Sequence, residues 1–132
     1  MSAPLALLRA VHAALDADPE VASLLGGRIH DRVPDRSAFP YATYGAMRSR
    51  DLDGEALSEH ALSVEIWSRR HGRGEALRAL EALRAALSDA PLSLDAHRLV
   101  SLRVLGIAVP EGATEIERGV LELRAVTEPD PS

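Results

Sequence analysis

The segment spanning residues 57–91 constrains the fold most strongly, because its hydrophobic period changes from that of a strand to that of a helix. Residues 62–68 alternate apolar and polar side chains, which predicts a strand with one buried face. From Ala76 to Leu87 the apolar residues recur at helical spacing and predict an amphipathic helix, which Pro91 ends. A strand that leads directly into such a helix predicts a helix lying across a β-sheet.

The rest of the chain carries further elements of both kinds. Two helices are predicted before residue 26. Strands are predicted over 28–33, 41–50, 57–68, 98–105 and 118–126, and Asp53-Gly54 predicts a hairpin reversal. This order predicts the α+β class, with a mainly antiparallel sheet of about four to five strands and two main helices, one N-terminal and one central, packed on one face. We expect a single domain over residues 1–127 and a flexible polar tail over 128–132.

The composition narrows the range of functions. The 132 residues contain no cysteine, which excludes disulfides, thiol catalysis and zinc–thiolate sites. The formal net charge is −5, and all 15 lysine-or-arginine positions are arginines. An acidic domain without a long basic stripe is not expected to bind DNA. No apolar run approaches membrane-spanning length, and Arg9 interrupts the apolar N-terminus. We therefore expect a soluble protein without a targeting signal.

The search for catalytic or ligand-binding residues is mostly negative. The five histidines lack the helical spacing of metal ligands, so no metal site is expected. The pair His30-Asp31 has the composition of an acid–base pair, but a solvated or sheet-edge histidine is favoured. The acidic residues of the predicted hairpin lack the spacing of a calcium loop, so a solvated tip is favoured over a cation site. We expect no catalytic residue and no cofactor.

Three surface features are candidates for contacts between subunits or with a tail tube. The segment from Arg48 to Glu59 is highly charged, and we expect a mobile arm whose shortening leaves the fold stable. Trp67 either covers the second face of the sheet or anchors an interface, and a short basic cluster follows it. The full set of candidate interface residues is Arg48, Arg50, Asp51, Asp53, Glu55, Glu59, Trp67, Arg69, Arg70 and Arg73.

Several motifs, taken in order, resemble one family. They are GGRIHDRVP at residues 26–34, FPYATYG at 39–45 and HALSVEIWSR at 60–69, followed by a similar run at 92–100. This ordered set resembles the tail-completion, or tail-terminator, family of siphophages and gene transfer agents, and it covers nearly the whole chain.

The resemblance implies a structural protein rather than an enzyme. Such a protein forms a ring, typically a hexamer, that caps the head-proximal end of a tail tube and stops its polymerisation. Its implied partners are copies of itself, the tail tube protein and a neck or head-closure protein, and DNA passes through the lumen without specific binding. The implied location is a virion-like particle assembled in the bacterial cytoplasm. Two alternatives remain open, namely another head–tail joining protein and a small metal-dependent enzyme.

Overall fold

The chain folds into three helices and five strands. The computed structural model describes residues 1–52, 56–69, 73–89, 92–111 and 115–130. In chain order the elements are α1 (Ala3–Ala17), α2 (Pro19–Leu25), β1 (Ile29–His30), β2 (Tyr41–Asp51), β3 (Ser58–Ser68), α3 (Gly74–Asp89), β4 (His97–Ala108) and β5 (Glu117–Pro129). The predicted α+β class is confirmed.

The five strands form one sheet in the order β1-β2-β3-β5-β4. The pairs β2–β3, β3–β5 and β4–β5 are antiparallel, whereas the two-residue β1 pairs with β2 in parallel. Strand β3 lies in the centre because β2 and β5 flank it along its length. The period-2 strand predicted from the sequence is therefore the middle of the sheet, where a buried face is most fully covered.

The helices cover one face of this sheet and close the core. In β3 the side chains of Leu62, Val64 and Ile66 point toward the helices and are buried, as their alternation predicts. In α3, Leu80 and Leu83 are fully buried against that face. A side chain at Gly119 of β5 would place its Cβ 2.8 Å from Cδ1 of Leu80, so glycine at this position lets α3 approach the sheet closely.

The N-terminal helices begin and end at the residues that the sequence signals indicate. Ser2 caps α1, and the Asp18 carboxylate accepts hydrogen bonds from the backbone N–H groups of Glu20 and Val21, both at 3.0 Å, at the start of α2. Gly26 adopts the left-handed conformation, with φ of 59°, and ends α2. These local signals set the short connection that brings the chain to β1.

Two predicted boundaries differ from the structure. The strand predicted over 28–33 is reduced to Ile29–His30, because the chain bends at Asp31 and leaves the sheet. The tail predicted to begin at residue 128 is still strand at Glu128 and Pro129, which pair with Arg98 and His97 of β4. The backbone N–H of Asp130 also donates to the carbonyl of Ala96 at 3.0 Å, so the C-terminal hydrogen-bond ladder continues past the predicted domain end.

Candidate interaction surface

The face of the sheet opposite the helices is the main candidate site, and we call it the open face. Strand alternation places on it the side chains that flank the buried ones, so polar and charged residues from four neighbouring strands lie side by side. Its charged side chains within β2 to β5 are Arg48, Arg50, Glu59, Glu65, Arg98, Arg103, Arg118, Glu122, Arg124 and Glu128. Six arginines against four glutamates make this face locally cationic on a chain with a net charge of −5.

One end of the open face is aromatic. Tyr41 and Trp67 are directly opposite on β2 and β3 and stack with ring centroids 6.5 Å apart, while Phe39 lies 5.0 Å from Tyr41. The Trp67 indole N–H donates to Oγ1 of Thr43 at 3.0 Å, yet the side chain stays half-exposed. Both interpretations of Trp67 thus have a structural basis, because it covers the sheet and also presents aromatic surface.

Two arginines flank this aromatic cluster. The Arg69 guanidinium lies 4.5 Å from the centroid of Phe39, and that of Arg118 lies 5.9 Å from the centroid of Trp67. Arg118 also donates to Oε1 of Glu65 at 2.5 Å. Tryptophan, tyrosine and arginine are the residue types that most often dominate binding energy at protein interfaces, so this end of the face has the composition of a contact site.

The middle of the open face carries a row of arginines. The register aligns Arg48 of β2, Ala61 of β3, Arg124 of β5 and Arg103 of β4 in one line across the sheet. Arg103 and Arg124 are direct cross-strand neighbours, and like charges in that position are destabilising. Arg124 approaches Oε2 of Glu59 at 3.9 Å, but Glu59 is shared with Arg50 at 3.0 Å. Within the described ranges, neither Arg48 nor Arg103 forms an ion pair.

A shallow groove of about 210 Å³ lies along this row. The small residues Ala46 and Ala61 line it together with Arg48 and Arg124. Leu105 of β4 also lines the groove and is 47% exposed, which is unusual for a leucine in a strand. It lies where the register between β4 and β5 shifts, so a bulge turns this side chain outward.

The predicted charged arm is part of the sheet as far as the structure describes it. Asp51 pairs with Ser58, Arg50 pairs with Glu59, and the Leu52 N–H donates to the Leu57 carbonyl at 2.9 Å. Strand pairing therefore holds residues 48–51 and 58–59 in the sheet, close to the predicted strand ends at Arg50 and Leu57. The mobile tip expected between them falls mainly on residues outside those described. The predicted contact residues Asp53, Glu55 and Arg70 lie outside the described residues.

The remaining predicted contact residues are distributed over several surfaces. Arg48, Arg50, Glu59 and Trp67 share the open face, and Arg69 adjoins its aromatic end. Asp51 points to the other face, where it accepts a hydrogen bond from Oγ of Ser58 at 3.2 Å. Arg73 is exposed just before α3. The structure thus brings together Arg48, Arg50, Glu59 and Trp67 on one face, with Arg69 at its aromatic end, but not all ten predicted positions.

The candidate chemical sites do not converge. Asp51 and Glu59 lie on opposite faces of the hairpin, since successive side chains of a strand alternate, so they cannot bind one cation together. His30 contacts Oγ of Ser37 at 3.2 Å and the ring of Tyr41, while Asp31 is exposed. Among the described residues no group of three or more histidine, aspartate or glutamate side chains is arranged to hold a metal ion.

Sequence reasoning missed a buried polar bridge at the base of the β2–β3 hairpin. His60 is fully buried, with Nδ1 2.6 Å from Oγ of Ser49 and Nε2 2.9 Å from Oγ1 of Thr127. Burial lowers the pKa of His60, and nearby His97 lowers it further. The burial of His60 could have been predicted from the sequence, because His60 is in phase with Leu62 and the other buried residues of β3. Its two partners lie 11 and 67 residues away in sequence and were not predictable.

A second unpredicted contact joins α1 to the sheet. Nδ1 of His12 lies 2.8 Å from the hydroxyl of Tyr44, the one aromatic residue of β2 that faces the helices. Burial raises the pKa of Tyr44, and the carboxylates of Asp16 and Asp31 raise it further, so the phenol stays protonated. This histidine and tyrosine therefore act as a structural pair between the two layers. Within the described part of the chain, no helix has the length and apolar character needed to span a bilayer.

A small α+β domain with an open, arginine-rich sheet face has the features of an assembly subunit. The comparisons with known proteins give its family. The chain belongs to the family described as "Tail completion protein gp17", whose sequence profile matches residues 9–128. The resemblance in the motifs of residues 26–69 is therefore confirmed, and the chain is a structural tail-completion protein.

Two solved structures resemble the fold. A chain in the virion of a native gene transfer agent particle has a TM-score of 0.85 and 28% identity, covering 97% of this chain and 99% of that one. The gp17 protein of bacteriophage SPP1 has a TM-score of 0.62 and 17% identity, covering 93% of this chain and 89% of that one, and this likeness concerns the fold alone. A search of curated proteins gives no match.

Proposed function

We propose that this chain forms a closed ring, most simply a hexamer, which caps the head-proximal end of a tail tube. In this role it ends polymerisation of the tube and provides the joint to the neck or head. The observation that carries the proposal is the end-to-end likeness to a chain of a gene transfer agent particle, which covers 97% of this chain and 99% of that one. Likeness over nearly the full length of both chains supports a common place in the particle, not only a shared fold.

The open face supports association with other proteins. Its aromatic end combines Trp67 and Tyr41 with Arg118, and its middle carries arginines without ionic partners among the described residues. A head-to-tail ring needs two different patches on each subunit, one for each neighbour. The open face is proposed as one of them, with the tail tube protein and the neck protein bound at the two rims of the ring.

We propose that DNA passes the ring without specific binding and that the protein is not an enzyme. With a net charge of −5 for each subunit, the ring as a whole repels phosphates. His12 and His60 hold structural hydrogen bonds, His12 to Tyr44 and His60 to Ser49 and Thr127. Their geometry serves the fold, which favours a structural role.

Complementation of a particle-producing strain that lacks this gene tests the proposal. Loss of a tail terminator is expected to give tails of uncontrolled length that do not join heads, and the wild-type protein should restore defined, joined tails. Electron microscopy of particles carrying the tagged protein should place the tag at the head-proximal end. Normal tails beside heads that lose their DNA would instead indicate a head-closure protein.

A further inference from the structure

The arginine row of the open face has an acidic counterpart on the same sheet. The described ends of the connection between β4 and β5, which we call the acidic turn, carry Glu111 and Glu115, both exposed. Glu117 lies at the start of β5. Within the described ranges, these three carboxylates form no ion pair. Among the described residues, one chain thus presents cations without an ion pair in one place and anions without an ion pair in another.

The two charged regions cannot meet within one chain. Arg124 and Glu117 are seven positions apart on the same straight strand, which corresponds to about 24 Å at roughly 3.4 Å per residue. A second copy has no such restriction. We propose that the groove lined by Arg48 and Arg124, with Arg103 beside Arg124 in the same row, receives Glu111 and Glu115 from the β4–β5 connection of a neighbouring copy of this chain. The proposal rests on the ring proposed above and assigns one of its contacts.

The proposed contact is head-to-tail, as a closed ring requires. The groove of one copy and the turn of the next are different surfaces, so each subunit uses one for each neighbour, and a head-to-tail contact of this kind can close on itself. It also accounts for the direct opposition of Arg103 and Arg124, because a carboxylate from the neighbour would offset the repulsion between them.

The groove fits a protein segment better than a nucleic acid. Leu105, 47% exposed, offers apolar surface that a phosphate backbone does not bury, whereas the acidic turn presents Pro110 next to Glu111. An acidic segment with an apolar residue beside its carboxylates complements both features of the groove.

Charge exchange between two variants tests the contact. The face variant carries Arg48→Glu and Arg103→Glu, at arginines that form no ion pair within the described chain, so the fold should persist. The turn variant carries Glu111→Arg and Glu115→Arg. A control for the face variant, Arg78→Glu with Arg84→Glu, makes the same charge change on the exposed side of α3. Denaturation midpoints verify that each variant is folded.

Self-association is measured by sedimentation on purified protein and by ring and tail formation in the complemented strain. We expect each variant alone to associate at least tenfold more weakly than wild type, and the control to match wild type. An equimolar mixture of the two variants should recover assembly when they alternate around the ring. Half of the contacts then join a reversed groove to a reversed turn, and the other half join an unchanged groove to an unchanged turn. If assembly recovers in the mixture but not in either variant by itself, the groove and the acidic turn are contact partners.

The outcomes separate this contact from the ring itself. Two results would overturn the contact but not the ring. In the first, wild type forms rings and each variant associates as strongly as wild type. In the second, the mixture associates no more strongly than either variant alone. A wild-type protein that stays monomeric both in solution and on tails would overturn both proposals. If a labelled DNA duplex binds wild type and not the face variant, the groove binds nucleic acid and the proposed occupant is wrong.

Discussion

The buried bridge through His60 leads to a prediction about stability and pH. His60→Leu keeps a side chain of similar size but removes both hydrogen bonds. The hydroxyl of Thr127, which is 1% exposed, then loses its partner and has no access to water. Leaving such a group unsatisfied costs about 1–3 kcal/mol, whereas the exposed Ser49 turns to solvent at little cost. At pH 8 we therefore expect a loss of roughly 1–3 kcal/mol in the free energy of unfolding.

The wild-type protein should also lose stability in acid through His60. Its pKa in the folded protein is lowered by burial, while the unfolded chain has the ordinary value of about 6.5. Between these two values the unfolded state binds more protons, so stability is fully present above about pH 6.5 and falls as the pH decreases through the folded pKa. The Leu variant lacks this dependence, so the difference between the two proteins should shrink from pH 8 to pH 5.

Urea denaturation of both proteins at pH 8, 7, 6 and 5 measures this difference. The two proteins share every other ionisable residue, so the comparison isolates the effect of replacing His60. A matched variant adds Thr127→Val to His60→Leu, which replaces both polar partners by apolar groups and should recover most of the loss at pH 8. Parallel stability curves for wild type and His60→Leu across this pH range would refute the reasoning.

Three further predictions concern the core and the surface. Leu83→Ala should lower the free energy of unfolding by about 2–5 kcal/mol through lost burial and a cavity, whereas the exposed neighbour Arg84→Ala should change it little; equal denaturation midpoints would contradict the assigned helix face. Gly119→Ala should cost about 1–3 kcal/mol by overpacking against Leu80, measured in the same way, and a stable variant would show that α3 can shift. The isolated protein should not bind duplex DNA at physiological salt, and a salt-sensitive sub-micromolar complex in a fluorescence titration would contradict this.

Local sequence signals account for most of the fold. The alternation in residues 62–68 identified the central strand, and the helical stripe ending before Pro91 identified α3 with its buried face. Caps such as Asp18 and Gly26 act within a few residues, so their effect can be inferred from the sequence alone. The parallel pairing of β1 was not predictable, because two residues carry too little pattern to show a partner.

The interaction surface depended on information that the sequence does not contain. Arg48 and Arg103 were visible as charged residues, but their alignment with Arg124 requires the strand order β2-β3-β5-β4 and its register. The sequence also led to the expectation that shortening the segment from Arg48 to Glu59 leaves the fold stable, and this expectation shows the same lack of long-range information. Joining Arg48 to Leu57 would remove Ser49, which contacts the buried His60, so that deletion would reach the core. Long-range strand pairing decided the position of each of these residues.

The edge strand β4 affects how two copies of this sheet can associate. Strand β4 is a 12-residue edge strand, and an unprotected edge of that length would add further strands without limit. Its pairing with β5 is interrupted by two register shifts, between Leu99 and Ser101 and between Val104 and Gly106, and bulges of this kind discourage edge-to-edge pairing. Since strand addition is hindered at this edge, contacts through side chains of the open face become the favoured route of association. Side-chain contacts fix orientation and stop when a ring closes, which agrees with the proposed role of a ring that ends a polymer.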